Sequence, residues 1–167
     1  EGKVVTTFHG NDITTYIKKE GERAYDLLFQ LGDNFLPISE RWKGRLIELG
    51  CKDKIIVHRM GIDCTKFTFS LQKSSANSQV NVVTIARLVE KKGVEYGIRA
   101  VAKLKKNKPS LNYTIVGNGP LRESLQQLIN EFDINDTVKL VGWKQQQEVI
   151  NILQNSDILL APSVTSQ

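Results

Sequence analysis

Two cations and a glycine follow one apolar stretch at close spacing. In "ARLVEKKG", residues 86–93, Arg87 directly follows the apolar run, Lys92 stands five residues later, and Gly93 comes next. An arginine fork can bind phosphate through two parallel hydrogen bonds, and a lysine beside a helix N-terminus adds a point charge. The spacing predicts an anion site. A solvated basic turn is the alternative.

A second loop with potential for ligand contact follows the apolar run "YTIV". Gly117 and Gly119 in "VGNGP" allow positive φ and close approach of the backbone. The pattern is part of a dinucleotide-binding fingerprint, but Arg122 stands at the third small-residue position and no acidic residue ends the next strand near Val141. NAD and FAD binding are therefore disfavoured. A tight turn without a ligand is the alternative.

A third loop, "HGNDI", follows the first apolar run of the chain. His9 can donate to a sugar hydroxyl or share a proton, and Asp12 can accept a hydrogen bond or orient the histidine. An exposed histidine without a role is the alternative interpretation.

These loops need a scaffold that brings strand ends together. Short runs rich in Val, Ile and Leu alternate with segments of 3.6-residue period, which indicates an α/β protein with a parallel sheet. Several runs are apolar at consecutive positions, as in strands covered by helices on both faces. Ligands of such sheets bind beyond the carboxyl ends of the strands, where all three loops fall. The predicted strands are residues 4–8, 35–38, 55–57, 80–86, 113–116, 138–141 and 158–161.

The polar stretch "SLQKSSANSQ", residues 70–79, interrupts this alternation and predicts a linker. It separates a first α/β unit, residues 1–69, from a second, residues 80–167.

Composition narrows the classes of partner. The net charge of +5 favours anionic ligands, but the basic residues are scattered and only 7% of residues are aromatic, which argues against nucleic acid. Cys51 and Cys64 lack the spacing of a zinc site. The sequence has no apolar run long enough to span a membrane.

Taken in order, these segments resemble the GT-B glycosyltransferases of family 4, and most closely the bacterial enzymes that build exopolysaccharides and surface glycans. The resemblance rests on "FHGNDI", "PISERWKGRLIELGC", "VVTIARLVEKKGVEYGIRAV", "YTIVGNGPLRESLQQLI", "VKLVGW" and "DILLAPS". It implies parts of two Rossmann-like parallel-sheet domains that face a cleft. Residues 1–69 would be the second half of the acceptor-side domain, and residues 80–167 the first part of the donor-binding domain.

The resemblance also assigns roles to residues. It implies that Arg87 and Lys92 hold the donor pyrophosphate and that His9 lies near the donor sugar and the reacting centre. Asp12 becomes a candidate for contact with sugar or acceptor. Glycines and the end of one strand would line the nucleotide side of the site: Gly117, Gly119, Val141, Gly142 and Trp143.

The implied activity is transfer of a sugar from a nucleotide-diphosphate sugar to a glycan or lipid-linked acceptor, with retention and without a cofactor or metal. The implied location is cytoplasmic, with peripheral contact at the inner face of the cytoplasmic membrane. The family's paired glutamates and its N-terminal glycine-rich loop are not in this sequence, so we expect a fragment that is inactive by itself. Two other hypotheses are a sugar- or nucleotide-binding module without catalysis, and a different GT-B chemistry such as epimerisation or phosphorolysis.

Overall fold

The computed structural model describes residues 2–67, 79–105 and 110–164. The chain divides into two units, Glu1–Asp63 and Cys64–Gln167. Of the predicted linker, residues 70–79, only Gln79 lies within the described residues.

The first unit contains a parallel pair of strands with helices between and after them. β1 (Val5–Phe8) pairs with β2 (Asn34–Pro37), and an isolated bridge joins Phe35 of β2 to Ile55. The predicted strand at residues 55–57 is therefore reduced to one bridging residue. Phe8, Phe35 and Leu46 are fully buried in one cluster, which joins both strands to the third helix. The elements are β1 (Val5–Phe8), α1 (Thr15–Glu20), α2 (Asp26–Leu31), β2 (Asn34–Pro37) and α3 (Glu40–Glu48).

The described residues of the second unit form a four-stranded, wholly parallel sheet in the order β5 (Val138–Gly142), β4 (Leu111–Val116), β3 (Val80–Ile85) and β6 (Ile158–Leu159). Val82, Val83 and Thr84 are buried in succession along β3, so this strand is covered on both faces, as its continuous apolar run predicts. A short 3-10 helix, Glu90–Lys92, precedes α4. The other elements are β3 (Val80–Ile85), α4 (Val94–Lys105), β4 (Leu111–Val116), α5 (Arg122–Glu131), β5 (Val138–Gly142), α6 (Gln146–Gln154) and β6 (Ile158–Leu159).

Two consecutive hydrogen bonds link β4 to β3 and β3 to the residue that follows β6. The Thr84 hydroxyl donates to the carbonyl of Leu160 at 2.7 Å, so the Tyr113 hydroxyl must donate to Thr84 Oγ1, also at 2.7 Å. Tyr113 is 1% exposed, and this burial raises the pKa of its phenol. The hydrogen bond to Thr84 lowers the same pKa, but by less.

This tyrosine gives the second unit a testable dependence on alkaline pH. Because the folded-state pKa of Tyr113 lies above its unfolded value, the unfolded chain loses this proton first, and stability falls as pH rises above about 10. We expect Tyr113→Phe to cost about 1 kcal/mol of stability at neutral pH and to weaken the alkaline loss. Urea unfolding at pH 7 and pH 11 tests this, with Tyr96→Phe, at an exposed position of α4, as the control. An unchanged alkaline slope in Tyr113→Phe would contradict it.

Candidate functional site

The strand order determines where the loops of the second unit can form a site. From β3 the chain moves outward through β4 and β5, and then crosses to β6 on the other side of β3. The strand order thus reverses between β3 and β6, and in open parallel sheets ligands bind in the crevice at such a reversal. Arg87 lies two residues beyond the end of β3, so the topology places it at this reversal.

Hydrogen bonds to the loop after β4 fix the backbone around Arg87. Ala86 N donates to Val116 O at 3.0 Å, and Leu88 N donates to Asn118 O at 2.9 Å. Leu88 is fully buried, whereas Arg87 is exposed. Among the described residues no carboxylate forms a salt bridge with Arg87. The backbone of Arg87 is therefore fixed by hydrogen bonds on both sides, while its guanidinium has no carboxylate partner among the described residues.

The two glycines after β4 let this loop approach the β3 exit closely. Gly117 has φ +135, and a Cβ there would lie 1.9 Å from the carbonyl oxygen of Ala86. A Cβ at Gly119 would lie 2.5 Å from the carbonyl oxygen of Leu88. The prediction of positive φ and close backbone approach is confirmed for Gly117, and the approaching group is the backbone on either side of Arg87.

Three of the predicted site residues line one surface pocket of about 380 Å³: Arg87, Gly117 and Trp143. They come from the loops after β3, β4 and β5 and are brought together by the parallel register. Asn118 and Lys144 also contribute to the lining. Because two cations border an apolar wall that includes an indole, the pocket suits a ligand with an aromatic part and a negative part.

A β-bulge at the end of β5 sets the position of the indole. Leu140 and Gly142 pair with consecutive residues of β4, so Val141 is an extra residue without a partner. Gly117 N donates to Gly142 O at 2.8 Å, which holds the two loops together beyond the bulge. Trp143 follows directly and is 71% exposed. Val141 and Gly142 are not part of the pocket lining, and their contact with a ligand stays a prediction.

Lys92 lies at the end of the 3-10 helix and is partly buried. Val164 N donates to the carbonyl of Lys91 at 3.0 Å, so the chain leaving β6 runs along this turn. No salt bridge joins Lys92 to a carboxylate within the described ranges. Lys92 is not part of the pocket lining, and its sharing of one ligand with Arg87 stays a prediction.

His9 and Asp12 belong to the first unit, in the loop after β1. His9 is exposed. The Asp12 carboxylate accepts hydrogen bonds from three backbone N–H groups, those of His9, Gly10 and Ile13, at 2.9, 2.6 and 3.2 Å. Asp12 therefore holds the backbone of the histidine loop. Its contact with sugar or acceptor stays a prediction.

Two polar lining residues, Asn118 and Lys144, were not predicted as site residues from the sequence. Asn118 stands between the two glycines, and Lys144 follows the tryptophan, so proximity to a predicted residue was the available signal. Lys144 pairs with Glu148 at 2.9 Å, and Gln145 N donates to the same carboxylate at 3.0 Å. These two hydrogen bonds lower the pKa of Glu148, and the bond from Lys144 has the larger effect. The carboxylate thereby holds Lys144 at the pocket while it caps α6.

The described residues contain no group of three or more His, Cys, Asp or Glu side chains arranged to hold a metal ion. No helix within the same residues has the length and apolar character needed to cross a membrane.

Residues 67–165 match the family model described as "Glycosyl transferases group 1". AmsK of Erwinia amylovora, an amylovoran biosynthesis glycosyltransferase, is 41% identical over 168 residues, which cover 99% of this chain and 41% of AmsK. WcaL of Escherichia coli K12, named for colanic acid biosynthesis, is 40% identical over 166 residues, which cover 98% of this chain and 41% of WcaL. The chain thus spans about two fifths of the length of these curated relatives.

Among solved structures, Anabaena HepE in complex with UDP and glucose superposes with a TM-score of 0.73 at 20% identity, covering 94% of this chain and 46% of HepE. At that identity the likeness establishes the fold alone, and it confirms the predicted α/β architecture of GT-B type. Together with the family match and the two relatives, it places this chain in the group 1 glycosyltransferase family.

Proposed function

We propose that the full-length protein transfers a sugar from a nucleotide-diphosphate sugar to a glycan or lipid-linked acceptor during synthesis of a bacterial surface polysaccharide. The observation that carries this proposal is the pocket formed by the loops after β3, β4 and β5. There Arg87, without a counter-ion among the described residues, and Trp143 border one space. The names of AmsK and WcaL support the polysaccharide as the product class.

The geometry suits a nucleoside diphosphate that leaves during the reaction. Negative charge grows on the leaving diphosphate as the glycosidic bond breaks, and a preorganised cation in a fixed position stabilises that charge. In our proposal Arg87 and Lys92 grip the diphosphate, and Lys144 adds positive charge at the pocket. The exposed indole of Trp143 offers a face against which the nucleobase can stack.

The remaining features of the proposed reaction concern the sugar and the surroundings. We propose that His9 acts near the donor sugar and that the sugar is transferred with retention of its configuration. Because Arg87 and Lys92 neutralise the leaving group, the reaction proceeds without a metal. We assign the protein to the cytoplasm, with peripheral membrane contact where the acceptor is lipid-linked.

The full-length protein should release a nucleoside diphosphate from its donor in the presence of EDTA. UDP-sugars and GDP-sugars are each supplied with a lipid-linked glycan acceptor, and the configuration of the new bond is read by NMR. Release that requires added Mg²⁺ or Mn²⁺ would contradict metal independence, and an inverted product would contradict retention. Saturable donor binding with no transfer to any acceptor would favour the binding module instead.

A further inference from the structure

The carboxylate of Asp12 accepts three hydrogen bonds from the backbone of the loop that carries His9. Asp12 Oδ2 accepts from His9 N at 2.9 Å, and Asp12 Oδ1 accepts from Gly10 N at 2.6 Å and from Ile13 N at 3.2 Å. The two oxygens are therefore divided between different parts of the loop. One holds the histidine itself, and the other holds the turn that follows.

Packing closes this loop from two further sides. Gly10 has φ +122, and a Cβ there would lie 3.2 Å from the ring of Trp42. The Tyr25 hydroxyl donates to the carbonyl of Asp12 at 3.1 Å. Ile13, which follows Asp12, is 1% exposed. The loop is consequently anchored by Trp42 of α3 and by Tyr25, which directly precedes α2, while His9 is exposed.

We propose that Asp12 is a positioning residue that sets the orientation of His9 through the backbone. This inference rests on the proposed function, because it assumes that His9 acts near the donor sugar. A charged acceptor holds a backbone N–H more strongly than a neutral one, and small displacements of a reacting group are costly in catalysis. Asp12 thus acts on the His9 main chain, and the imidazole stays free for the reaction.

The sharpest test is Asp12→Asn in the full-length protein. An asparagine can keep its oxygen at the Oδ1 position for Gly10 and Ile13, but its NH₂ group then faces the N–H of His9, which cannot accept a hydrogen bond. We expect kcat to fall about 10- to 100-fold, with an unchanged KM for the donor. Asp33→Asn is the matched control, because the Asp33 carboxylate also accepts a backbone N–H, that of Val4 at 2.8 Å, away from this loop. It should leave kcat unchanged.

A double-mutant cycle separates positioning from simple stabilisation. Rates of His9→Ala and of the double variant are measured in single turnovers at high enzyme concentration, where slow transfer remains measurable. If Asp12 acts through His9, the Asp12→Asn change should cost less than about 2-fold once His9 is absent. An equal loss in both backgrounds, or a wild-type kcat in Asp12→Asn, would overturn the proposal.

Two further observations keep the test decisive. If Asp12→Asn lowers the melting temperature well below that of Asp33→Asn, Asp12→Ser replaces it, since a serine hydroxyl can still accept one backbone N–H. The same cycle and the same outcomes then apply. Absence of any sugar transfer by the wild-type protein would count against the proposed function, whereas a normal rate in the Asp12 variant of an active protein counts against the positioning role alone.

Discussion

Replacing Arg87 by alanine in the full-length protein is expected to lower kcat for sugar transfer by about 10²- to 10³-fold, or about 3–4 kcal/mol of barrier. The reason is that Arg87 is exposed, has no carboxylate partner among the described residues, and lines the pocket formed by the loops after β3, β4 and β5. Arg87→Lys should give an intermediate rate, because it keeps the charge and loses the planar fork. Release of nucleoside diphosphate under saturating donor measures the effect.

Arg99→Ala is the matched control for the loss of a surface arginine in the same unit. Arg99 pairs with Glu95 of α4 at 2.8 Å and lies over the ring of Phe132, 5.6 Å from its centre. It does not line the pocket of Arg87, so turnover should be unchanged. Wild-type turnover in Arg87→Ala would refute the assignment of the diphosphate site.

Replacing Gly117 by alanine is expected to destabilise the second unit strongly. The added Cβ would lie 1.9 Å from the carbonyl oxygen of Ala86, at a φ of +135 that side chains rarely adopt. The overlap of this Cβ with the backbone adds to the conformational strain, and we expect the free energy of unfolding to fall by about 3 kcal/mol or more. The β3 exit must shift to accommodate it, so donor affinity should fall too. Denaturant unfolding and a donor titration measure the two effects.

Two other glycines provide graded controls for this prediction. Gly142→Ala meets only Arg122 Nη1, at 3.8 Å, so it isolates the cost of positive φ, about 1–2 kcal/mol. Gly44→Ala lies in α3 with open space around it and should be stabilising by about 0.5–1 kcal/mol. If Gly117→Ala were no more destabilising than Gly142→Ala, the close approach of the two loops would not explain the loss of stability at Gly117.

Elements with a strong local signal were predictable without the structure. The period of Val94, Ile98 and Val101 predicts α4, and the continuous apolar run before Arg87 predicts β3, because burial on one helical face or on both faces of a strand leaves its pattern in adjacent residues. The helices α1 and α2 were not predicted. Each has six residues, too few for a helical period to stand out.

The sequence by itself therefore determined the α/β class, most strand positions and the family, since each depends on residue type and local order. Only the tertiary structure decided that Arg87, Gly117 and Trp143 share one pocket and that a bulge at Val141 sets the position of the Trp143 indole. It also decided that the Asp12 carboxylate accepts a hydrogen bond from the His9 backbone. These contacts depend on strand order, register and the direction of loops beyond the strand ends. Such features follow from packing between distant segments and leave no periodic trace along the chain.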